Sequence, residues 1–339
     1  MCMSNTICLQ DIYRARKRID GRARRTPLIV SSSLSDLTGG AIHLKLEHLQ
    51  TTGSFKLRGA TNAILRLRDS ERARGVVGVS TGNHGRGLAY AAHQAGVRCI
   101  ICMSELVPSN KIEGVRSHGA EVLIVGRSQD AAQVEVDRLV DAEGMIMLPP
   151  FDHPDIIAGQ GTLGLEILED CPELETVLIP LSGGGLLAGV ALALKSANPS
   201  VRVVGISMER GAAMIESQRA GKPIFVEELP TLADALGGGI GLDNHYTFEM
   251  VRDLADELIT VTEGEIANAV RHAYWSEKQV IEGSGSVGIA ALLAGKIGKP
   301  GICVSLVTGC NLEMALHRRL IDHEVVDDAV AAVGGVESA

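Results

Sequence analysis

The chain has 339 residues, 45% of them hydrophobic, and carries a formal net charge of −9. This length and composition suffice for one large core or two medium ones, and the negative charge argues against a nucleic-acid partner. No apolar run reaches the length of a membrane span and the basic N-terminal segment contains acids, so we expect neither membrane insertion nor a targeting peptide.

Strand-like apolar runs alternate with helix-like stretches along the chain. Apolar strands interleaved with amphipathic segments predict an α/β fold in which mostly parallel sheets are covered by helices on both faces. The predicted strands are 42–47, 76–80, 97–103, 121–125, 176–181, 201–208, 258–262 and 302–307.

The seven cysteines are scattered, which is typical of reduced thiols in the cytoplasm. Cys99 and Cys102 form a C-x-x-C pattern, but within a strand two positions three apart point to opposite faces. The pattern therefore predicts core packing. No second pair completes a zinc site, and we expect no metal.

Lys56 is the first candidate site residue along the chain. It lies in the segment 51–60, which reads TTGSFKLRGA. Alone it is weak evidence, since most lysines are solvated surface charges. A lysine becomes a nucleophile only as the free amine, so its environment must lower its pKa before it can form an imine.

Three glycine turns support a catalytic role for Lys56. The turns 80–85 (STGNHG), 182–186 (SGGGL) and 308–311 (TGCN) each follow an apolar run and open a helix-like stretch. A strand, a glycine turn and a helix present free backbone N–H groups at the positive end of the helix dipole, where anions bind. The sequence thus predicts three anion sites and one reactive lysine.

From about residue 12 to 319, this combination resembles the threonine/serine dehydratase family, fold-type II enzymes that use pyridoxal 5'-phosphate. The resemblance implies a tryptophan synthase β-like fold with two domains. The large one comprises residues 1–47 and 145–339, and the small inserted one comprises 48–144. It further implies a cytoplasmic homodimer or homotetramer that acts on a small amino acid.

The resemblance also implies roles for individual residues. Lys56 would form the Schiff base with the cofactor and act as the base at the substrate α-carbon, with Phe55 beside the pyridine ring. Asn83 would bind the ring hydroxyl, Thr308 would contact the ring nitrogen, and Glu282 would lie near the ring.

Two further sets of residues follow from the same resemblance. Gly183, Gly184, Gly185 and Leu186 match the phosphate cradle, where missing side chains let amides close around a dianion. The substrate would be held by Ser54, Ser80, Thr81, Gly82, Asn83 and His84.

Structural roles are the alternative for several of these residues. Asn83 and His84 could simply cap a helix, and the three glycines could only allow tight strand–helix packing. Glu282 could be a first-turn dipole partner of the following helix, and Thr308 an ordinary hydroxyl at a strand end.

The implied reaction is β-elimination of water from a β-hydroxy amino acid, which gives a 2-keto acid and ammonia. A neutral hydroxyl at the ring nitrogen suits such prompt elimination. Racemisation is the nearest alternative, because Thr81 stands where serine racemases place a second catalytic group. The segment 207–213 lacks the carboxylates with which those racemases bind a cation.

Two readings from other classes stay open. Residues 183–188 also fit G-x-G-x-x-A, and Glu209 ends the next apolar run, as in an NAD-binding Rossmann protein. A catalytically silent protein that binds the cofactor or senses amino acids would have the same motifs.

The segment 235–244, ALGGGIGLDN, departs from the family pattern on the substrate side of the expected cleft. This glycine-dense wall indicates a substrate other than threonine or serine. It is similar to the hydroxyectoine-utilisation branch, whose substrate would be a hydroxylated diaminobutyrate. The chain ends soon after residue 311, so we expect no regulatory domain.

Overall fold

The computed structural model describes residues 7–80, 82–105, 107, 109–127 and 129–323. The strands are β1 Leu28–Val30, β2 Ala41–Leu46, β3 Val76–Val79, β4 Cys99–Met103, β5 Glu121–Ile124, β6 Ile146–Met147, β7 Thr176–Pro180, β8 Arg202–Met208, β9 Glu257–Val261 and β10 Ile302–Val307.

The helices are α1 Leu9–Ile19, α2 Ser32–Thr38, α3 Lys56–Arg66, α4 Asp69–Arg74, α5 Asn83–Gln94, α6 Ser109–Arg116, α7 Gln129–Glu143, α8 Pro154–Asp170, α9 Gly185–Ala197, α10 Ala213–Ala220, α11 Thr247–Leu254, α12 Glu263–Trp275, α13 Gly283–Leu293 and α14 Met314–Ile321. Short 3-10 turns occupy Glu47–Leu49 and Asp234–Leu236. Among the described residues, no helix combines the length and apolar character needed to cross a bilayer.

The strands form two sheets. The larger has the order β1-β2-β10-β7-β8-β9, and the smaller has the order β5-β4-β3-β6. Every strand pair is parallel except β1 with β2. The predicted α/β class with mostly parallel sheets is confirmed.

Apolar clusters cover both faces of each sheet, because strands buried on two sides need helices on both. In the large sheet, one cluster joins the strands to α12 and α13, and another joins them to α9 and α11. In the small sheet, α3 and α5 contribute to one cluster and α7 to the other. Cys99 and Cys102 are buried in β4, as predicted for core residues.

The small sheet is built entirely from residues 76–147. Strand β6 pairs with β3, so residues 146–147 extend this sheet slightly past position 144. The domain limits at 48 and 144 stay a prediction. Both β1 and β6 are absent from the predicted strands, since segments of two or three residues show no measurable alternation.

Helix α3, which begins at Lys56, packs very closely on α8. A Cβ atom built on Gly159 of α8 would lie 2.6 Å from the Cα atom of Gly59, so neither position has room for a side chain. Close backbone approach of this kind needs glycine. The contact fixes the start of α3, and with it Lys56, against the large-sheet side of the molecule.

A buried ionic cluster surrounds Arg58, the residue that precedes Gly59 in α3. The Arg58 guanidinium contacts the Glu47 carboxylate at 2.8 Å through both Nε and Nη2, and the Glu166 carboxylate at 2.6 and 2.9 Å. Lys45 Nζ completes the cluster at 2.9 Å from Glu166. Although burial alone would raise the pKa of Glu47, the charge and hydrogen bonds of Arg58 hold that pKa below its usual value.

Candidate active site

A cavity of about 230 Å³ lies where the carboxyl ends of β3, β7 and β10 meet the start of α3. This is the edge of a parallel sheet where ligands usually bind. Of the predicted site residues, those that line it are Phe55, Lys56, Ser80, Gly82, Asn83, His84, Gly183, Gly184, Gly185, Leu186, Glu282 and Thr308.

Among the described residues, Ser54 is the predicted site residue that does not line the cavity. Ser54 is fully buried and takes part in a backbone bridge with Gly309, and its hydroxyl has no hydrogen-bond partner among the described residues. It lies behind the wall, where it joins the start of α3 to the end of β10. Thr81 lies outside the described residues.

The Lys56 side chain is half-buried and lines the cavity. Its Nζ donates a hydrogen bond to the Pro150 carbonyl oxygen at 2.8 Å and lies 5.3 Å from the centre of the Phe55 ring. Burial, with no carboxylate to offset it, lowers the pKa of Lys56 to about 8. A substantial share of this amine is therefore neutral, and hence nucleophilic, near physiological pH.

The lowered pKa predicts a pH dependence for imine formation by the cofactor-free protein. With a pKa of about 8, the neutral amine rises from about a tenth at pH 7 to about nine tenths at pH 9. We expect the observed rate constant for attachment of pyridoxal phosphate to rise with pH and level off above about pH 9. Stopped-flow absorbance at saturating cofactor measures it. A rate that keeps rising steeply to pH 10 would indicate an ordinary lysine.

The glycine turn before α9 has the features of an anion site. Gly184 adopts a left-handed backbone with φ +88°, and α9 begins at the next residue. Among the described residues, the backbone N–H groups of Gly183, Gly184, Gly185 and Leu186 have no hydrogen-bond partner. Unpaired amides at the positive end of a 13-residue helix fit a phosphate dianion.

The same glycines also make room for Phe151. A Cβ atom on Gly183 would lie 2.3 Å from the Phe151 ring, and one on Gly185 would lie 2.9 Å from the Phe151 carbonyl oxygen. Tight packing and anion binding are therefore compatible explanations for the glycines of this turn.

Substitution of Gly183 by alanine should weaken cofactor binding. The new methyl group must displace the Phe151 ring or the turn, at a cost of about 1–3 kcal/mol, which corresponds to roughly tenfold or more in affinity. Titration of cofactor-free protein by fluorescence measures it. Gly264→Ala is the matched control, because its Cβ would meet only one atom, at 3.9 Å. Equal affinities for the two variants would argue against a phosphate site at the turn.

A buried carboxylate–amide network forms the opposite wall. Asn83 Nδ2 donates to Glu282 Oε1 at 2.6 Å, the Asn311 backbone N–H donates to Glu282 Oε2 at 2.8 Å, and Asn311 Nδ2 donates to Asn83 Oδ1 at 2.6 Å. Burial, and then the nearby Asp234 carboxylate, raises the pKa of Glu282 to about 7. The network fixes the orientation of the Asn83 amide.

These contacts exclude side-chain capping by Asn83 and Glu282, whereas the dipole interaction of Glu282 with α13 and the site roles stay predictions. Glu282 precedes α13 as its capping residue, yet its side chain makes no capping hydrogen bond. Asn83 is the first residue of α5, and its amide is used by Glu282 and Asn311 rather than by its own helix. Neither side chain serves as a helix cap.

The turn between β3 and α5 offers further donors. Ser80 Oγ accepts from the Gly85 backbone N–H at 2.9 Å, which leaves its own hydrogen available. Among the described residues, the backbone N–H groups of Asn83 and His84 have no partner. His84 Nε2 lies 2.9 Å from the Leu148 carbonyl oxygen. Burial, and then the charge of Lys56, lowers the pKa of His84 to about 3, so its ring is neutral.

Thr308 and Phe55 join the third turn to the reactive lysine. The Phe55 backbone N–H donates to the Thr308 carbonyl oxygen at 3.1 Å, and the Cys310 N–H donates to the Gly53 carbonyl oxygen at 2.9 Å. Thr308 is buried at the end of β10 and lines the cavity with Lys56. The two segments are thus held in one unit.

The family model described as "Pyridoxal-phosphate dependent enzyme" matches residues 19–309. The chain belongs to the pyridoxal-phosphate dependent enzyme family. It is 58% identical to a Sinorhizobium fredii protein provisionally named a threonine dehydratase, over 94% of this chain and 96% of that protein. It is 43% identical to the L-threonine ammonia-lyase of Thermotoga maritima, over 94% and 79%. The structure of maize serine racemase superposes with a TM-score of 0.87 at 33% identity, covering 93% and 98%.

As a pyridoxal-phosphate dependent enzyme, the chain has the predicted cofactor and the predicted fold-type II architecture. The dehydratase and ammonia-lyase names of its relatives confirm the predicted lyase class. The family match accounts for the glycines of residues 183–188 without an NAD-binding site. Glu209, the acid on which the NAD-binding alternative depended, is not among the residues that line the cavity.

Several cavity residues were missed at the sequence level. Asn311 lies inside a turn that was recognised, but its side chain was given no role. Phe151 and the Pro150 carbonyl oxygen lie outside the three glycine turns that the sequence singles out. Arg86 on α5 and Lys111 on α6 also line the cavity. A recognisable signal existed for Asn311 alone, since the turn before it was already identified.

Proposed function

We propose that this enzyme removes water from a β-hydroxy α-amino acid and releases a 2-keto acid and ammonia. The observation that carries the proposal is the Lys56 amine, its pKa lowered to about 8, in one cavity with a glycine turn whose amides fit an anion. The names of the threonine dehydratase and ammonia-lyase relatives support the same reaction.

The residues fit the cofactor at several points. The free amides of residues 183–186 would hold its phosphate, and Lys56 would bind it covalently. The Asn83 amide would bind the ring hydroxyl, with Phe55 beside the ring, and the neutral Thr308 hydroxyl would contact the ring nitrogen. When bound, pyridoxal phosphate supplies an electron sink that stabilises negative charge at the substrate α-carbon.

The protein's own steps are binding and proton transfer. The Ser80 hydroxyl and the free N–H groups of Asn83 and His84 would bind the substrate carboxylate. The substrate amine would take the place of Lys56 on the cofactor, and the Lys56 amine freed in this way would take the α-proton. The β-hydroxyl would leave as water with that proton. The remaining enamine regains a proton at its β-carbon, and water replaces its nitrogen, which leaves as ammonia. Phe151 contributes an apolar group to the cavity wall.

We further propose that the substrate is larger than threonine, namely a hydroxylated diaminobutyrate derived from hydroxyectoine. Support comes from the glycine-dense wall, because Gly237, Gly238 and Gly239 line the cavity. Cβ atoms on Gly238 and Gly239 would meet nothing within 4 Å, so this wall leaves space beside it. The proposal includes a cytoplasmic homodimer or homotetramer and the two domains divided at residues 48 and 144.

Parallel assays of keto-acid and ammonia release test the proposal. L-threonine, L-serine and hydroxylated 2,4-diaminobutyrates, with the distal nitrogen either free or acylated, are compared by kcat/KM with one enzyme preparation. We expect one of the diaminobutyrates to be the best substrate of the set. Turnover of L-threonine at an equal or higher kcat/KM would reject the hydroxyectoine-derived substrate but would still agree with a lyase reaction.

Racemisation is the second candidate, because the maize structure at 33% identity is a serine racemase. Chiral chromatography of the unreacted amino acid measures it in the same assays. Interconversion of L- and D-serine without ammonia release would overturn the proposed dehydration.

A further inference from the structure

Arg86 lies in the wall of the cavity formed by the small sheet. It belongs to α5, three residues after Asn83, and its side chain is half-buried between α5 and α6. A Cβ atom on Gly114 of α6 would lie 2.2 Å from the Arg86 Cζ atom, so the guanidinium rests directly on the backbone of this glycine. Glycine at position 114 provides the space that holds Arg86 at the cavity wall.

The carboxylates that line the cavity are each bound to another group or exposed to solvent. The Glu282 carboxylate accepts from Asn83 and Asn311. Asp234 forms an ion pair with Lys111 at 2.9 Å. Glu228 is exposed at the mouth of the cavity. None of them hydrogen-bonds to Arg86.

Arg86 therefore lines the cavity as a cation that has no direct partner among the described residues. Within the part of the chain that the structure describes, its guanidinium has no hydrogen-bond acceptor. Partial burial lowers its pKa and is only partly offset by the more distant charge of Glu282. A guanidinium is planar and presents five N–H donors that match carboxylate and carbonyl oxygens. Donors of this kind at a ligand cavity call for an acceptor on the ligand.

We propose that Arg86 binds a hydrogen-bond acceptor, a carboxylate or carbonyl oxygen, at the distal end of the substrate side chain. This rests on the proposed function, in which the glycine turn at 183–186 holds the phosphate and the turn at 80–84 holds the α-carboxylate. Because these two turns bind the phosphate and the α-carboxylate, the Arg86 guanidinium is left to bind the side chain of the substrate.

The proposal narrows the substrate class. A free ammonium at the distal end would face the Arg86 cation and be repelled. A side chain that ends in a carboxylate or an amide is favoured over threonine, whose methyl group offers no acceptor. For a diaminobutyrate-type substrate, the distal nitrogen must then be part of a neutral amide.

Binding of unreactive amino acids to the holoenzyme tests this without any turnover. L-asparagine and L-aspartate are compared with L-leucine, which has a similar shape and no acceptor, and L-glutamine is compared with L-norleucine. Dissociation constants come from calorimetry and from changes in the visible absorption of the cofactor. We expect the acceptor ligand of at least one pair to bind about 10- to 100-fold more tightly.

Variants assign the preference to Arg86. Arg86→Met should abolish it by weakening the acceptor ligands alone, and Arg86→Lys should keep part of it for aspartate. Arg116→Met, on the exposed side of α6, is the control and should leave the preference unchanged. The visible spectrum and the thermal midpoint confirm that each variant is folded and loaded.

Two results would overturn the proposal. One is an absence of preference in every pair with the wild-type protein. The other is an equal loss for leucine and asparagine in Arg86→Met, which would assign Arg86 to the α-carboxylate or to the fold. Absence of ammonia release from all β-hydroxy amino acids would instead reject the dehydratase and leave this binding result intact.

Discussion

Lys56→Ala should abolish covalent attachment of the cofactor and reduce kcat by at least about 10³-fold, because the variant loses both the imine-forming amine and the proposed base. The wild-type protein should show a visible absorption band that borohydride reduction removes and fixes to a peptide containing residue 56. In the variant, bound cofactor should stay free of the protein after reduction. Absorbance, mass spectrometry of the reduced protein and keto-acid assays measure these outcomes.

Lys296→Ala is the matched control for this experiment. Lys296 is a surface lysine that pairs with Glu265 at the far side of the large sheet. Its removal should leave the band, the labelled peptide and kcat unchanged. Labelling at a lysine other than Lys56 in the wild-type protein would contradict the assignment of the site.

Arg58→Met should lower the free energy of unfolding by about 3–5 kcal/mol, because it leaves the buried carboxylates of Glu47 and Glu166 without their main partner. Urea denaturation of the holoenzyme followed by circular dichroism measures it. Arg98→Met is the control, since Arg98 pairs with Glu121 on the exposed surface and should cost less than about 1 kcal/mol. Equal losses in the two variants would show that the buried cluster adds nothing beyond a surface ion pair.

The same cluster predicts how the wild-type protein responds to acid. The pKa of Glu47 is depressed in the folded state, so its contribution is present above the unfolded pKa of about 4.3 and is lost as the pH falls. We expect the urea midpoint of the wild-type protein to drop below about pH 4 more steeply than that of Arg58→Met.

Much of the fold could be predicted because buried parallel strands are apolar runs that end in glycine turns. All eight predicted strands are present, with ends shifted by at most two residues. Only the very short β1 and β6 were missed. Lys56 and the turns around Asn83, Gly184 and Thr308 could be located because strand, turn and helix follow each other in the sequence.

The remaining features of the site depend on tertiary contacts. Nothing local distinguishes Arg86 from a solvated arginine, since its position depends on Gly114 in another helix. The Pro150 carbonyl oxygen that receives the Lys56 hydrogen bond is backbone and has no side-chain signature. The family resemblance implied that Ser54 touches the substrate, but Ser54 is fully buried and its backbone bridges to Gly309.

The network of Asn83, Glu282 and Asn311 joins residues that are up to 228 positions apart in the chain. Asn83 arrives with the small sheet, whereas Glu282 and Asn311 arrive with the large one. Neither sheet on its own presents the complete pocket, so full binding of pyridoxal phosphate requires the two sheets to be packed together. The cofactor therefore stabilises the assembled enzyme, by an amount that grows with the logarithm of its free concentration.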